Sequence, residues 1–188
     1  MASRRAETSR ESRRLLIVAA TELFAERGFR RTTFEDIAER SGISRGSIPW
    51  HFGNKNGLLE AVIDELTASI FTTMPRRAGL TGGLEYAREF TGRPASRLLI
   101  TLLAEAVEPG SPVHGFYAKL HAAMRKWIAD WTATEATPRG VSREDFVTIV
   151  LAAIIGVHLQ YRVDEDAIDL DATLSALHAI LTAGADKS

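Results

Sequence analysis

Ala38, Gly42 and Ile48 stand four and six residues apart, between the helix-capping residues Thr33 and Ser44 and the turn at Gly53-Asn54. Few folds use a small residue, a glycine and an aliphatic residue in that order and spacing. Two short helices crossing steeply over a tight turn require it. The small side chain lets the helices approach, the glycine makes the turn, and the aliphatic residue locks the second helix on the first. The stretch Thr33–Phe52, TFEDIAERSGISRGSIPWHF, is therefore read as a helix-turn-helix. Its second helix has the dimensions to enter a major groove with its first turns facing base edges.

The flanking sequence supplies the helices such a motif needs. Leu15, Leu16, Ala19, Leu23 and Phe24 fall at helical spacing in a helix predicted over Ser12–Arg27. Gly28 suits a left-handed helix end. Thr32 or Thr33 opens a capping box with Glu35 or Asp36, and Ser44 is the predicted cap of a third helix reaching His51. Asn54 caps a fourth, which carries Leu58, Leu59, Val62, Ile63, Leu66 and Ile70 and stops at Met74-Pro75. Beyond it, Gly79–Gly83 reads as a turn-rich connection. Helices are predicted over Leu84–Phe90, Ala95–Val107 and Val113–Thr134. Two more follow, one opened by Ser142 with Asp145 and ending near Val163, the other opened by Asp169 or Asp171 and ending near Leu181. No stretch alternates with β-branched residues. The expected class is all-α: a three-helix head followed by a helical bundle.

Composition limits the functions open to this chain. Of 188 residues, 45% are hydrophobic and 25% charged, as in ordinary globular proteins. There are no cysteines, which excludes disulfides and thiol chemistry. No apolar run is expected to span a bilayer, and the arginine-rich start lacks the apolar core of a secretory signal, so a cytoplasmic location is expected. The net charge is −1, but it is unevenly spread. Met1–Glu60 holds eleven Lys and Arg against eight Asp and Glu. The surplus has the sign of a phosphate-facing segment.

Chemistry-bearing groups point the same way. Thr33 and Ser44 place hydroxyls and helix N-terminal amides where phosphates bind. Arg45 and Ser47 fall on the exposed side of the third helix, where Arg45 suits a guanine edge or a phosphate. Lys55 reaches for backbone phosphate, and Trp50 and His51 suit sugar, phosphate or a thymine methyl. The DNA-facing set is Arg31, Thr32, Thr33, Ser44, Arg45, Gly46, Ser47, Trp50, His51 and Lys55. No histidine pair has the spacing of an H-E-x-x-H zinc helix, and the acidic residues 164–171 lack the pattern of a calcium loop. No metal, no cofactor and no enzymatic activity are expected. The apolar and aromatic residues of the C-terminal part suit a small-molecule pocket. Its candidate lining is Phe71, Met74, Tyr117, His121, Met124, Trp127 and Gln160.

The run Gly28–Ile63 closely resembles the DNA-binding domain of TetR-family repressors. The matching features are Gly28-Phe29, Thr33, Ile37-Ala38, Gly42, Ser44-Arg45-Gly46, His51-Phe52, Lys55 and Leu58-Leu59. The resemblance implies a DNA-binding domain over residues 10–70 and an effector-binding and dimerisation domain over 71–188. It also implies a homodimer joined through the last two helices, an operator in double-stranded DNA, and a small-molecule effector that weakens operator binding. Pro49 departs from the family, which usually has a phosphate-contacting tyrosine there. A proline lacks an amide hydrogen and disfavours helix in the preceding residue, so a bent recognition helix is expected. A helical protein that binds a small molecule or a partner, with a weakened DNA-binding head, is the alternative reading.

Overall fold

A computed structural model describes residues 2–75 and 79–183, with residues 2–6 described by their backbone alone. Among the described residues there are nine helices and no strand. They are α1 (Ala2–Arg27), α2 (Phe34–Ser41), α3 (Ser47–Phe52), α4 (Lys55–Thr73), α5 (Gly79–Thr91), α6 (Pro94–Ala106), α7 (His114–Trp131), α8 (Arg143–Val163) and α9 (Leu170–Thr182). The chain forms two compact units, one of Met1–Thr72 with Arg97–Phe116, the other of Thr73–Ser96 with Tyr117–Ser188.

In the first unit, Leu16, Ala20, Leu23 and Phe24 of α1 are buried at helical spacing, as are Ile37, Ile48, Leu58, Leu59 and Val62. Gly28 ends α1 with φ +84°, a conformation that favours glycine. The helix begins at Ala2, ten residues before the predicted start at Ser12. Part of this polar extension is supported by a hydroxyl bond from Ser12 to the Thr8 carbonyl and an Arg14–Glu11 pair at 2.6 Å. Residues of α6 also belong to this unit. Thr101 donates to the Ala25 carbonyl, Glu105 accepts the Phe29 amide at 2.8 Å, and Glu108 pairs with Arg30. Thr101 and Glu105 lie four apart on one stripe of α6 turned to the end of α1, and Glu108 follows two residues past the end of α6.

The second unit is built around Leu80, Leu84, Ala87, Ile128, Trp131, Phe146, Val147, Val150, Leu151, Ile154, Leu174 and Leu181. The predicted turn at Gly79–Gly83 is instead the first part of α5. Gly83 has a packing reason to stand inside a helix. A β-carbon there would lie 1.9 Å from the Trp131 ring, so α5 passes over the indole only because it carries no side chain at that point. Ser142 caps α8 by accepting the Asp145 amide, and Asp169 caps α9 by accepting that of Ala172. At the other end of α5, the Ala87 carbonyl faces His158 and the Thr91 carbonyl accepts from Arg162, both on α8.

One sequence expectation is corrected by α8. It is long and apolar enough to cross a membrane by length and composition, because its charges collect at its two ends. Only a third of that stretch is buried within the chain. Its exposed side carries Ile149, Ala152, Leu159 and Val163, interrupted by Thr148 and Gln160.

Candidate nucleic-acid interface

Two helices present the candidate interface, and each is fixed by its own sequence. Thr33 caps α2 in a reciprocal box: its hydroxyl accepts the Asp36 amide at 3.2 Å, and Asp36 accepts the Thr33 amide at 2.7 Å. The Thr33 amide and hydroxyl, with Arg27 nearby, hold the Asp36 carboxyl below its ordinary range. Arg40 on α2 reaches back to Glu26 and Glu22 of α1 at 2.9 and 3.1 Å. At Gly42, φ is +70° and the amide closes on the Ala38 carbonyl, which gives the turn its direction.

Ile48 is the buried residue of α3 and is completely shielded from solvent. Around it, Ser44, Arg45, Gly46, Pro49 and Trp50 are exposed, with Ser47 at their edge. Trp50 is 72% exposed, an unusual state for an indole, and its ring meets His51 edge-on at 4.5 Å. Arg45 directs its Nε to the Glu35 carboxylate at 2.8 Å. The Ser44 and Ser47 hydroxyls are 2.9 Å apart. Predicted as the cap of α3, Ser44 lies three residues before the helix begins and accepts the Ser47 amide; Gly46 occupies the cap position.

Pro49 does not bend α3. The helix begins at Ser47, so Pro49 lies in its first turn, where amides have no partner within the helix. The Arg45 carbonyl, which a residue at 49 would otherwise engage, already accepts the Ile48 amide at 3.1 Å. The proline therefore removes no helix bond, and its own carbonyl accepts the Gly53 amide at 2.8 Å. This position tolerates proline for the same reason that helix starts in general do.

The remaining members of the DNA-facing set divide. Arg31 is exposed and its Nε donates to the Arg27 carbonyl. Thr32 is a correction: it is 1% exposed and its hydroxyl bonds the Gly28 carbonyl at 2.9 Å, so it braces the end of α1 and is closed to a nucleic acid. His51 is half-buried, and burial together with Arg13 lowers its pKa. Lys55 is drawn inward: its ammonium lies 4.4 Å above the Phe29 ring and donates to the Arg30 carbonyl, and burial lowers its pKa. Sequence reasoning missed Arg13, whose guanidinium lies 5.2 Å from the centre of the Phe52 ring, and Glu35, the partner of Arg45. Neither contact leaves a mark in local spacing.

The expected effector residues are less coherent. Tyr117 and His121 meet edge-on at 5.6 Å, and Trp127 packs against Trp131 and Tyr86 while donating to the Pro75 carbonyl. Met74 is buried and Met124 half-buried, whereas Gln160 is exposed. Phe71 is half-buried and belongs to the first unit. An open groove of about 490 Å³ lies between α5 and α9, lined by Thr81, Leu84, Glu85, Arg88, Asp171, Leu174, Ser175 and His178. None of the expected effector residues lines it. Among the described residues, no three His, Asp or Glu side chains gather as metal ligands.

A buried aliphatic anchor, a glycine turn and a short helix with a polar and aromatic outer face define a helix-turn-helix DNA-binding protein. The family model described as bacterial regulatory proteins, tetR family, matches residues 16–62. Residues 16–62 are thus those of a tetR-family DNA-binding domain. The chain is 47% identical over 66 residues to the transcriptional regulator TtgR of Pseudomonas putida, a match covering 35% of this chain and 31% of TtgR. It is 24% identical over 160 residues to the A-factor receptor protein of Streptomyces griseus, covering 84% of this chain and 57% of the receptor. The matched part thus spans about a third of TtgR and little more than half of the receptor. Over nearly its whole length the fold is that of NalD, the secondary repressor of the MexAB-OprM multidrug efflux pump in Pseudomonas aeruginosa. The TM-score is 0.71 at 22% identity, with 96% of this chain and 99% of NalD covered.

Proposed function

We propose that this chain is a cytoplasmic, ligand-responsive repressor that binds a near-palindromic operator as a homodimer. Each protomer lays α3 in a major groove, with Arg45 on a guanine edge or phosphate, Trp50 on a sugar or thymine methyl, and Ser44, Ser47 and Thr33 on phosphates. The carrying observation is the outer face of α3, polar and aromatic around the completely buried Ile48. A second copy suits the exposed side of α8, where Ile149, Ala152, Leu159 and Val163 lie three, seven and four residues apart, at helical spacing. Small residues continue on α9 at Ala172, Ala176 and Ala179, all exposed. Thr148 and Gln160 within the α8 face fit a helix partner better than lipid.

Tyr117, His121, Met124 and Trp127 on α7, with Met74, form the candidate effector site. Burial raises the Tyr117 pKa and lowers that of His121, so both groups are uncharged at neutral pH and suit an uncharged effector. The effector acts by binding two conformers with different affinity. The test is an anisotropy titration on the promoter beside the chain's own gene, with salt varied. Preference for that duplex is the expected result, and no sequence preference at any salt overturns it. The reading in which Pro49 leaves a degraded head finds no support in α3, whose hydrogen bonds the proline leaves intact.

A further inference from the structure

The DNA-facing surface contains a carboxylate that the local fold does not need. Capping of α2 is completed by Thr33 and Asp36, and Asp36 also meets Arg27 at 3.2 Å. Glu35, the residue beside it, takes no part in the cap. Its carboxylate stands in solvent, 63% exposed, against the equally exposed Arg45. An exposed pair of this kind adds little to stability. Its effect on what Arg45 can bind is larger.

A guanidinium has five N–H donors in a rigid planar fork. Glu35 takes the Nε side of that fork, which leaves the edge formed by the two terminal amino groups for a second, bidentate partner. A guanine presents its O6 and N7 atoms to such an edge without carrying net charge. A phosphate carries a full negative charge and is repelled by the carboxylate already in place. The pair therefore filters ligands by charge: base edges are accepted, and phosphates met at random along DNA are penalised.

We propose that Glu35 is a specificity-determining residue, which positions Arg45 for a guanine edge and suppresses its binding to phosphate. This rests on the reading of Arg45 as a DNA contact. The full-length chain and the variants Glu35→Gln and Arg45→Ala are compared by anisotropy over a range of salt. Two duplexes of equal length serve as probes: one recovered by the wild-type chain from a random pool, the other a scrambled version of it.

Losing one opposing charge is equivalent to gaining about one phosphate contact, with a salt slope of roughly −0.9. Glu35→Gln is thus expected to bind the scrambled duplex roughly five- to tenfold more tightly near 0.1 M salt, with a steeper salt dependence. Its ratio of selected to scrambled affinity is expected to fall by a similar factor, and its preference for guanine at one position to relax. An unchanged ratio, with Arg45→Ala still weakening the selected duplex, overturns the role of Glu35 alone. Weaker binding of the selected duplex by Glu35→Gln, with no gain on the scrambled one, also overturns it, since Glu35 would then touch DNA itself. Full affinity in Arg45→Ala defeats the underlying reading of Arg45 as a contact. A pool that yields no preferred sequence defeats the operator reading, and with it the specificity assigned to Glu35.

Discussion

Replacing Ile48 by alanine tests whether α3 is held in place by a single side chain. The helix has six residues, far too few to persist alone in water. Ile48 is its one wholly buried residue. The substitution removes three carbons at about 0.8 kcal/mol each, and the cavity left behind adds to that, giving a loss of about 3 kcal/mol. That corresponds to roughly a hundredfold change in an equilibrium constant. The loss is expected to fall on the docking of α3, because α1, α2 and α4 keep their own buried residues. Hydrogen exchange read by mass spectrometry is the assay. Protection of the Ile48 and Gly53 amides, which bond Arg45 and Pro49, should fall by up to about that factor, with smaller changes at Leu23 and Leu58. Operator affinity should fall with it. Uniform loss across the head, or unchanged protection in α3, would refute the anchor argument.

Four other outcomes are expected. Pro49→Ala should shift stability by no more than about 0.5 kcal/mol in a denaturant titration, because the amide it restores lies in the unpaired first turn. Gly83→Ala should cost about 1–3 kcal/mol or more in the same assay, since its β-carbon would enter the space of the Trp131 ring. Gly156→Leu should leave the fold of the monomer intact, because a β-carbon there meets nothing within 4 Å, yet break a dimer built on α8, as seen by light scattering. His158 is buried between the Ile154 and Ala87 carbonyls, and burial holds its pKa below 6.5. The unfolded chain therefore binds the extra proton more readily, and the histidine's share of stability, present above pH 6.5, drains away on acidification below it. Thermal melts against pH should show that slope, and His158→Gln should flatten it.

Local signals in the sequence located most helices. Thr33 with Asp36, Ser142 with Asp145, and Asp169 each cap as their spacing implies, because capping is a matter of three or four consecutive residues. Gly42 turns where a left-handed residue is required. The failures have another origin. Gly79–Gly83 reads as a turn until Trp131, far along the chain, is known to need the space. Thr32 and Thr33 look alike in sequence, yet one is buried under the end of α1 and the other caps α2. Pro49 looks disruptive until the true start of α3 is fixed at Ser47. The Glu35–Arg45 pair joins side chains ten positions apart through a turn whose geometry no local pattern specifies. Each of these depends on tertiary contacts that propensity and periodicity do not encode.

The row of Thr101 and Glu105 on α6, with Glu108 just past its end, bears on how the molecule comes into being. The unit that carries α3 is not a continuous length of chain; it is completed by residues 97–116. During synthesis, the first 72 residues therefore emerge without the carboxylate that takes the Phe29 amide and without buried Leu98 and Leu102. At translation speeds of about 5–20 residues per second, that wait lasts seconds. A nascent chain in that interval has its recognition helix on the surface before the end of α1 is secured. The same interleaving means that a single cut after residue 72 does not release an intact reading head, and swapping heads between relatives would require two junctions where one seems to suffice.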